Sequence, residues 1–145
     1  MAQRFFLADD DDDDRLLFED ALRELSMDTS LIMATDGVDL MEKLQETVPP
    51  PPSVIFLDIN MPRKNGFECL TEMKQIEKFR DIPVVIFSTS DEDSTIDRTY
   101  RQGANFYIHK PRSFEKLKSA IQQIIAIDWS LQTMQPSKEK YVLHF

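Results

Sequence analysis

Apolar and polar positions along this chain fall into blocks with two different periods. Runs that are apolar at nearly every position recur at 4–8 (RFFLA), 30–34 (SLIMA), 53–58 (SVIFLD), 82–88 (IPVVIFS) and 105–109 (NFYIH). Short runs rich in Val, Ile and Phe predict strands, and runs apolar on both faces predict strands of a covered parallel sheet. Between them apolar residues return every three or four positions, the period of a helix with one buried face. Phe18, Ala21, Leu22 and Leu25 predict a helix from Asp12; Val38, Met41 and Leu44 predict one over 37–46. Phe67, Leu70, Met73 and Ile76 predict a third over 66–79. A fourth is expected from caps at Ser90 and Asp91 to Gln102, with Gly103 as its stop. Phe114, Leu117, Ile121, Ile124 and Ile125 mark a last helix through Asp128. Four prolines at 49–52 cannot continue a helix and predict an extended polyproline connector.

Strands alternating with helices imply right-handed crossovers and a doubly wound α/β fold, a five-stranded parallel sheet with helices on both faces. In such a sheet a site forms beyond the C-terminal ends of the strands. The polar residues of this chain do gather there. Asp9 and Asp10 follow the first strand, Asp58 ends the third, Ser88 ends the fourth, and Lys110 and Pro111 follow the fifth. Carboxylates brought to one rim repel unless a cation sits among them, and hard oxygen ligands suit Mg²⁺. A carboxylate beside Mg²⁺ can attack phosphorus to give an acyl phosphate, with a hydroxyl and an ammonium to neutralise the phosphoryl oxygens.

Composition narrows the alternatives. The 145 residues suffice for one domain, and a net charge of −9 argues against nucleic acid or an anionic membrane as partner. Cys69 is the only cysteine, so no internal disulfide forms and a reducing, cytoplasmic setting is expected. His109 and His144 lie far apart without cysteine company, which disfavours zinc. No apolar run reaches the roughly 18 residues of a membrane span. Six consecutive aspartates, Asp9 to Asp14, carry no interrupting glycine, so a calcium-binding helix–loop–helix is excluded.

Four pieces in order, "LADD", "IFLDINMPRKNGFECL", "VVIFSTS" and "YIHKP", each at a strand end, resemble a response-regulator receiver domain of the chemotaxis type. The resemblance covers 4–128 and implies a flavodoxin-like (βα)5 fold of strand order 2-1-3-4-5. It implies that Asp58 is the phosphoacceptor. Asp9, Asp10, Asp58 and the backbone carbonyl of Asn60 would hold Mg²⁺. Ser88 resembles the switch hydroxyl, Tyr107 the aromatic that turns inward with it, and Lys110 the partner of the phosphoryl oxygen. Lys110–Pro111 is expected cis, and Gly66 is a backbone turn before a helix. Family spacing counts the metal pair from the arginine of "DDR", Arg15, and so selects Asp9 and Asp10. Asp11 to Asp14 are left to helix capping and solvation.

Implied partners are a sensor histidine kinase or histidine phosphotransfer protein upstream and an unidentified protein downstream. The downstream protein is expected on the face made by the 91–102 helix, the fifth strand and the last helix. The function expected is a phosphorylation switch, not an enzyme, with a phosphorelay intermediate or phosphate sink as the near alternative. A haloacid-dehalogenase-type phosphatase would place an acid two residues after its nucleophile, where this chain has Asn60. A pseudo-receiver would lack site residues that are present here. The chain departs from the pattern in Ser88, where threonine is commoner, in the prolines, and in the 129–145 extension beyond a 1–128 receiver domain. That extension is too short for an output domain. Its apolar end, Tyr141 to Phe145, is expected to pack on the domain or pair with a second copy as a homodimer.

Overall fold

A computed structural model describes residues 3–25, 28–129 and 135–145. In chain order its elements are β1 (Gln3–Ala8), α1 (Asp12–Glu24), β2 (Thr29–Ala34), α2 (Gly37–Thr47) and β3 (Val54–Leu57). There follow α3 (Gly66–Gln75), α4 (Glu77–Arg80), β4 (Val84–Ser88), α5 (Asp93–Arg101) and β5 (Phe106–His109). The chain closes with α6 (Phe114–Ala126), α7 (Lys138–Tyr141) and β6 (Val142–Leu143). The strands form one parallel sheet in the order β2-β1-β3-β4-β5-β6. The expected order of the first five holds, and a sixth strand extends the sheet beside β5.

Alternation along each strand divides the core in two. Phe6, Ile55, Leu57, Val84, Ile86 and Tyr107 face Leu40 and Leu44 of α2 and Leu70 and Met73 of α3. Phe5, Leu7, Phe56, Val85, Phe87 and Ile108 face Phe18 and Leu22 of α1 and Leu117, Ile121 and Ile124 of α6. Phe18 is wedged edge-on between Phe56 and Phe87, with ring centres 4.9 and 5.8 Å away. Each such buried ring contributes about 1.5–3 kcal/mol through area alone. Because Phe18 anchors α1 over β3 and β4, the first turn of α1 hangs above the ends of those strands.

Several boundaries differ from the pattern. The helix expected over 66–79 breaks at Ile76, whose extended backbone (φ −105, ψ 117) ends α3 and begins the single turn of α4. Apolar spacing cannot see this break, because Met73 and Phe79 are buried on both sides of it. The fourth helix starts at Asp93, with Glu92 at its N-cap position and no side-chain cap; Ser90 and Asp91 precede it. Gly103 does stop it, at φ 97, a conformation that L side chains rarely adopt. The last helix ends at Ala126 rather than Asp128. Val48–Pro49 and Pro49–Pro50, in the stretch expected to be an extended polyproline connector, are cis.

The C-terminal segment packs on the domain, as one of the two expectations had it. Tyr141 is completely buried, its hydroxyl 2.8 Å from Thr99 Oγ1 and its ring 5.0 Å from that of Tyr100. The Gln135 side-chain amide donates to the carbonyls of Tyr100 and Ala104, each at 2.6 Å. Tyr100 donates its hydroxyl proton to the Pro136 carbonyl at 2.8 Å. Among the described residues no helix is long and apolar enough to cross a membrane.

Candidate functional site

Parallel pairing brings the strand ends to one rim. Ala8 is level with Leu57, Leu57 with Ile86, and Ser88 with His109. The sheet's hydrogen bonds continue one residue past the strands: Asp9 N–H donates to Ala34 C=O (3.1 Å) and Asp58 N–H to Ala8 C=O (3.0 Å). Both aspartates are thereby held by their backbones and are almost fully buried, while Asp10 is exposed. Gly66 packs behind them. A Cβ there would lie 2.4 Å from the Asp58 carbonyl oxygen, so only glycine lets α3 start this close to the site. The Gly66 N–H also donates to Ile59 C=O at 2.9 Å. The turn role expected of Gly66 is thus also a close-approach role.

Carboxylate oxygens of Asp9, Asp10 and Asp58 all come within 4.8 Å of one another. Hard oxygen donors gathered in this number fit a divalent cation. Lys110 reaches into the same group. Its Nζ stands 2.8 Å from Asp9 Oδ2, 3.1 Å from Asp58 Oδ2 and 2.8 Å from Asp14 Oδ2. Two further acceptors are engaged: Asp9 Oδ1 takes the Asp11 N–H at 3.0 Å, and Asp58 Oδ1 the Ile59 N–H at 2.8 Å. Arg15 donates to the Asp9 carbonyl at 2.6 Å, so the "DDR" spacing corresponds to a contact.

The electrostatics follow from burial. Burial pushes the Asp58 carboxyl up to about 6; the Lys110 charge opposes this and the Asp9 charge adds to it. Asp9 is raised for the same first reason, with Lys110 again opposing. At Lys110 burial works against the ammonium, but hydrogen bonds to Asp14 and Asp9 and the charges of Asp58 and Asp9 outweigh it and hold its pKa above the usual value. The site is a desolvated acidic pocket in which one ammonium neutralises part of the charge. Such a pocket gains from a further cation.

The other expected residues are placed as follows. Ser88 is completely buried at the end of β4, and its Oγ accepts the Ser90 N–H at 3.1 Å. Tyr107 is also completely buried, and its hydroxyl donates to the Ser90 carbonyl at 2.6 Å. Ser88 and Tyr107 are therefore joined through Ser90. Asn60 is exposed two residues beyond Asp58. Lys110–Pro111, expected cis, is trans; the cis prolines are those at 49 and 50. A trans bond is the ordinary outcome for X–Pro, favoured by about 0.5–1 kcal/mol.

Asp14 was assigned to capping and solvation, and the structure corrects this. Asp11 is the N-cap that accepts the Asp14 N–H at 2.9 Å, and the Asp14 side chain turns to Lys110. The signal was available, since Asp14 lies four residues before the buried Phe18 and so shares its inward face. Tyr141, in contact with Tyr107 at 6.2 Å between ring centres, was noticed only as part of an apolar tail.

Known proteins carry the same arrangement of elements. Response regulator Rcp1 of Synechocystis is 34% identical over 112 residues, 74% of this chain and 76% of that protein. The crystal structure of the Mn²⁺-bound form of Rcp1 superposes with a TM-score of 0.76 at 31% identity, covering 93% of this chain and 99% of that one. The phosphorylated cyanobacterial phytochrome response regulator RcpA gives 0.80 at 29% identity, covering 94% and 100%. The family described as response regulator receiver domain matches residues 5–122. With that match, and with the acidic pocket, Ser88 and Lys110 gathered at one sheet edge, this chain belongs to the response-regulator receiver family of two-component signalling proteins.

Proposed function

We propose that Asp58 accepts a phosphoryl group and that its phosphorylation is the signal. The observation that carries this is the placement of Asp58: held by the sheet, buried, and with one carboxylate oxygen 3.1 Å from Lys110 Nζ. An Asp58 oxygen attacks the phosphorus of a phosphohistidine or a small acyl phosphate. The new P–O bond forms as the P–N or P–O bond to the donor breaks, and the donor leaves with the electron pair. Lys110 neutralises one phosphoryl oxygen, and the Ser88 hydroxyl donates to another after leaving the Ser90 N–H. Mg²⁺ held by Asp9, Asp10, Asp58 and the Asn60 carbonyl would supply positive charge against the phosphoryl oxygens. Tyr107, tied to Ser90, carries the change toward α5, β5 and α6. A downstream protein reads that face, of which the C-terminal segment is a part.

The donor is a histidine kinase or phosphotransfer protein. Among the described residues Leu16 and Leu17 are the large apolar side chains left exposed, at 56% and 46%. They follow Asp14 on α1, beside the pocket, and form the patch on which a donor protein docks. The likeness to RcpA, a cyanobacterial phytochrome response regulator, supports a phytochrome as the source of the signal.

Intact mass after incubation with acetyl phosphate and Mg²⁺ tests the reading, with Asp58→Asn and EDTA as controls. One phosphoryl mass gain that needs both Asp58 and the metal is expected. No gain in the wild type, with Mg²⁺ binding shown by calorimetry, would sink it.

A further inference from the structure

Lys110 has three N–H donors, and three carboxylates take them: Asp9, Asp58 and Asp14. These partners are not equivalent. Asp9 and Asp58 belong to the group of oxygens that fits a cation; Asp14 does not. A divalent ion held by Asp9 and Asp58 would compete with Lys110 for these carboxylates. The ammonium then keeps one carboxylate, Asp14. A lysine side chain without a partner spreads over many rotamers.

From this we infer that Asp14 is a positioning residue for phosphoryl transfer: it tethers Lys110 at the pocket once the cation has drawn away Asp9 and Asp58, leaving two ammonium N–H groups for the phosphoryl oxygens. The inference rests on the proposed chemistry at Asp58. Asp14 is suited to the task by its own anchorage. Its N–H is fixed by the Asp11 cap, its helix is pinned by Phe18, and its side chain is about a third exposed. Asp14 touches neither phosphorus nor metal and acts through Lys110 alone.

A double-mutant cycle with Lys110 separates this role from a structural one. Asp14→Asn keeps the shape and removes the charge; it should slow phosphorylation by acetyl phosphate at saturating Mg²⁺ by roughly three- to tenfold. In a Lys110→Ala background the same change should have no effect, and Asp14→Glu should recover part of the rate. A second readout needs no turnover. In ¹⁵N-lysine-labelled, Mg²⁺-loaded protein, a slowly exchanging Lys110 ammonium signal should be present in the wild type and absent in Asp14→Asn. Equal slowing in both backgrounds, faster phosphorylation in Asp14→Asn, or an unchanged ammonium signal would each overturn the tether. A wild type that gains no phosphoryl mass would instead overturn the chemistry at Asp58, and the tether with it.

Discussion

At the scale of single residues, Asp58 carries a cost that comes from its burial. A carboxyl raised from 3.8 to about 6 binds a proton in the folded protein that the unfolded chain has already released. Its stabilising contribution is fully present below the unfolded value and is lost as pH rises through about 6. For the metal-free protein this loss is on the order of 2–3 kcal/mol, shared with the like-signed shift at Asp9. Asp58→Asn should therefore stabilise the metal-free protein at pH 7.5 and do so by roughly half as much at pH 5. Urea unfolding in EDTA at the two pH values measures it, and the difference between wild type and variant cancels groups that shift the other way, such as Asp36 beside Arg63. A variant no more stable at pH 7.5 than at pH 5 would contradict the assignment of burial as the dominant cause. The residues of this pocket were legible in the sequence because strand ends in a parallel sheet must share a rim. Asp14 was not read because a run of six aspartates masks which of them turns inward; only the helical phase set by Phe18 distinguishes it.

At the scale of elements, the strands and the faces of the helices were legible and their ends less so. Periodicity reports which side of an element is buried, not where its backbone turns, so the break at Ile76 and the late start of α5 went unseen. The C-terminal segment shows a stronger limit. β6 is two residues long, below what any pattern can register, and its place beside β5 depends on Tyr141 filling a gap between Thr99, Tyr100 and Tyr107. This anchor can be graded by substitution. Tyr141→Phe removes one buried hydroxyl contact and should cost about 1 kcal/mol, since Thr99 Oγ1 keeps its bond to the Ile96 carbonyl. Tyr141→Ala empties a ring-sized space, worth about 3–5 kcal/mol where the surroundings cannot collapse. The segment's other contacts, Val142 and Leu143 against the core and Gln135 on two carbonyls, lie at the edge of the sheet, so its detachment limits the global loss. Hydrogen exchange should show the amides of Val142 and Leu143 losing protection in Tyr141→Ala while β1 and β3 keep theirs. Uniform loss across the sheet would mean that the segment is an integral part of the core.

At the scale of the whole molecule, charge and docking must be reconciled. A protein of net charge −9, with six consecutive aspartates running from the end of its first strand, repels an anionic donor at long range. A small acyl phosphate meets that field with no compensating contact outside the pocket, whereas a donor protein can also offset it by burying Leu16 and Leu17. The two kinds of donor should therefore respond differently to the same variant. Replacing both leucines by glutamate removes the apolar patch and adds charge without touching Asp9, Asp58 or Lys110. Phosphotransfer from a histidine kinase should fall by at least tenfold, roughly the loss of one buried leucine contact. Labelling by acetyl phosphate at 0.15 M salt should change less than twofold, because the added carboxylates are solvent-exposed and screened by salt. An equal fall with both donors would place the defect in the pocket or the fold, and no fall with either would move the donor interface elsewhere on the rim.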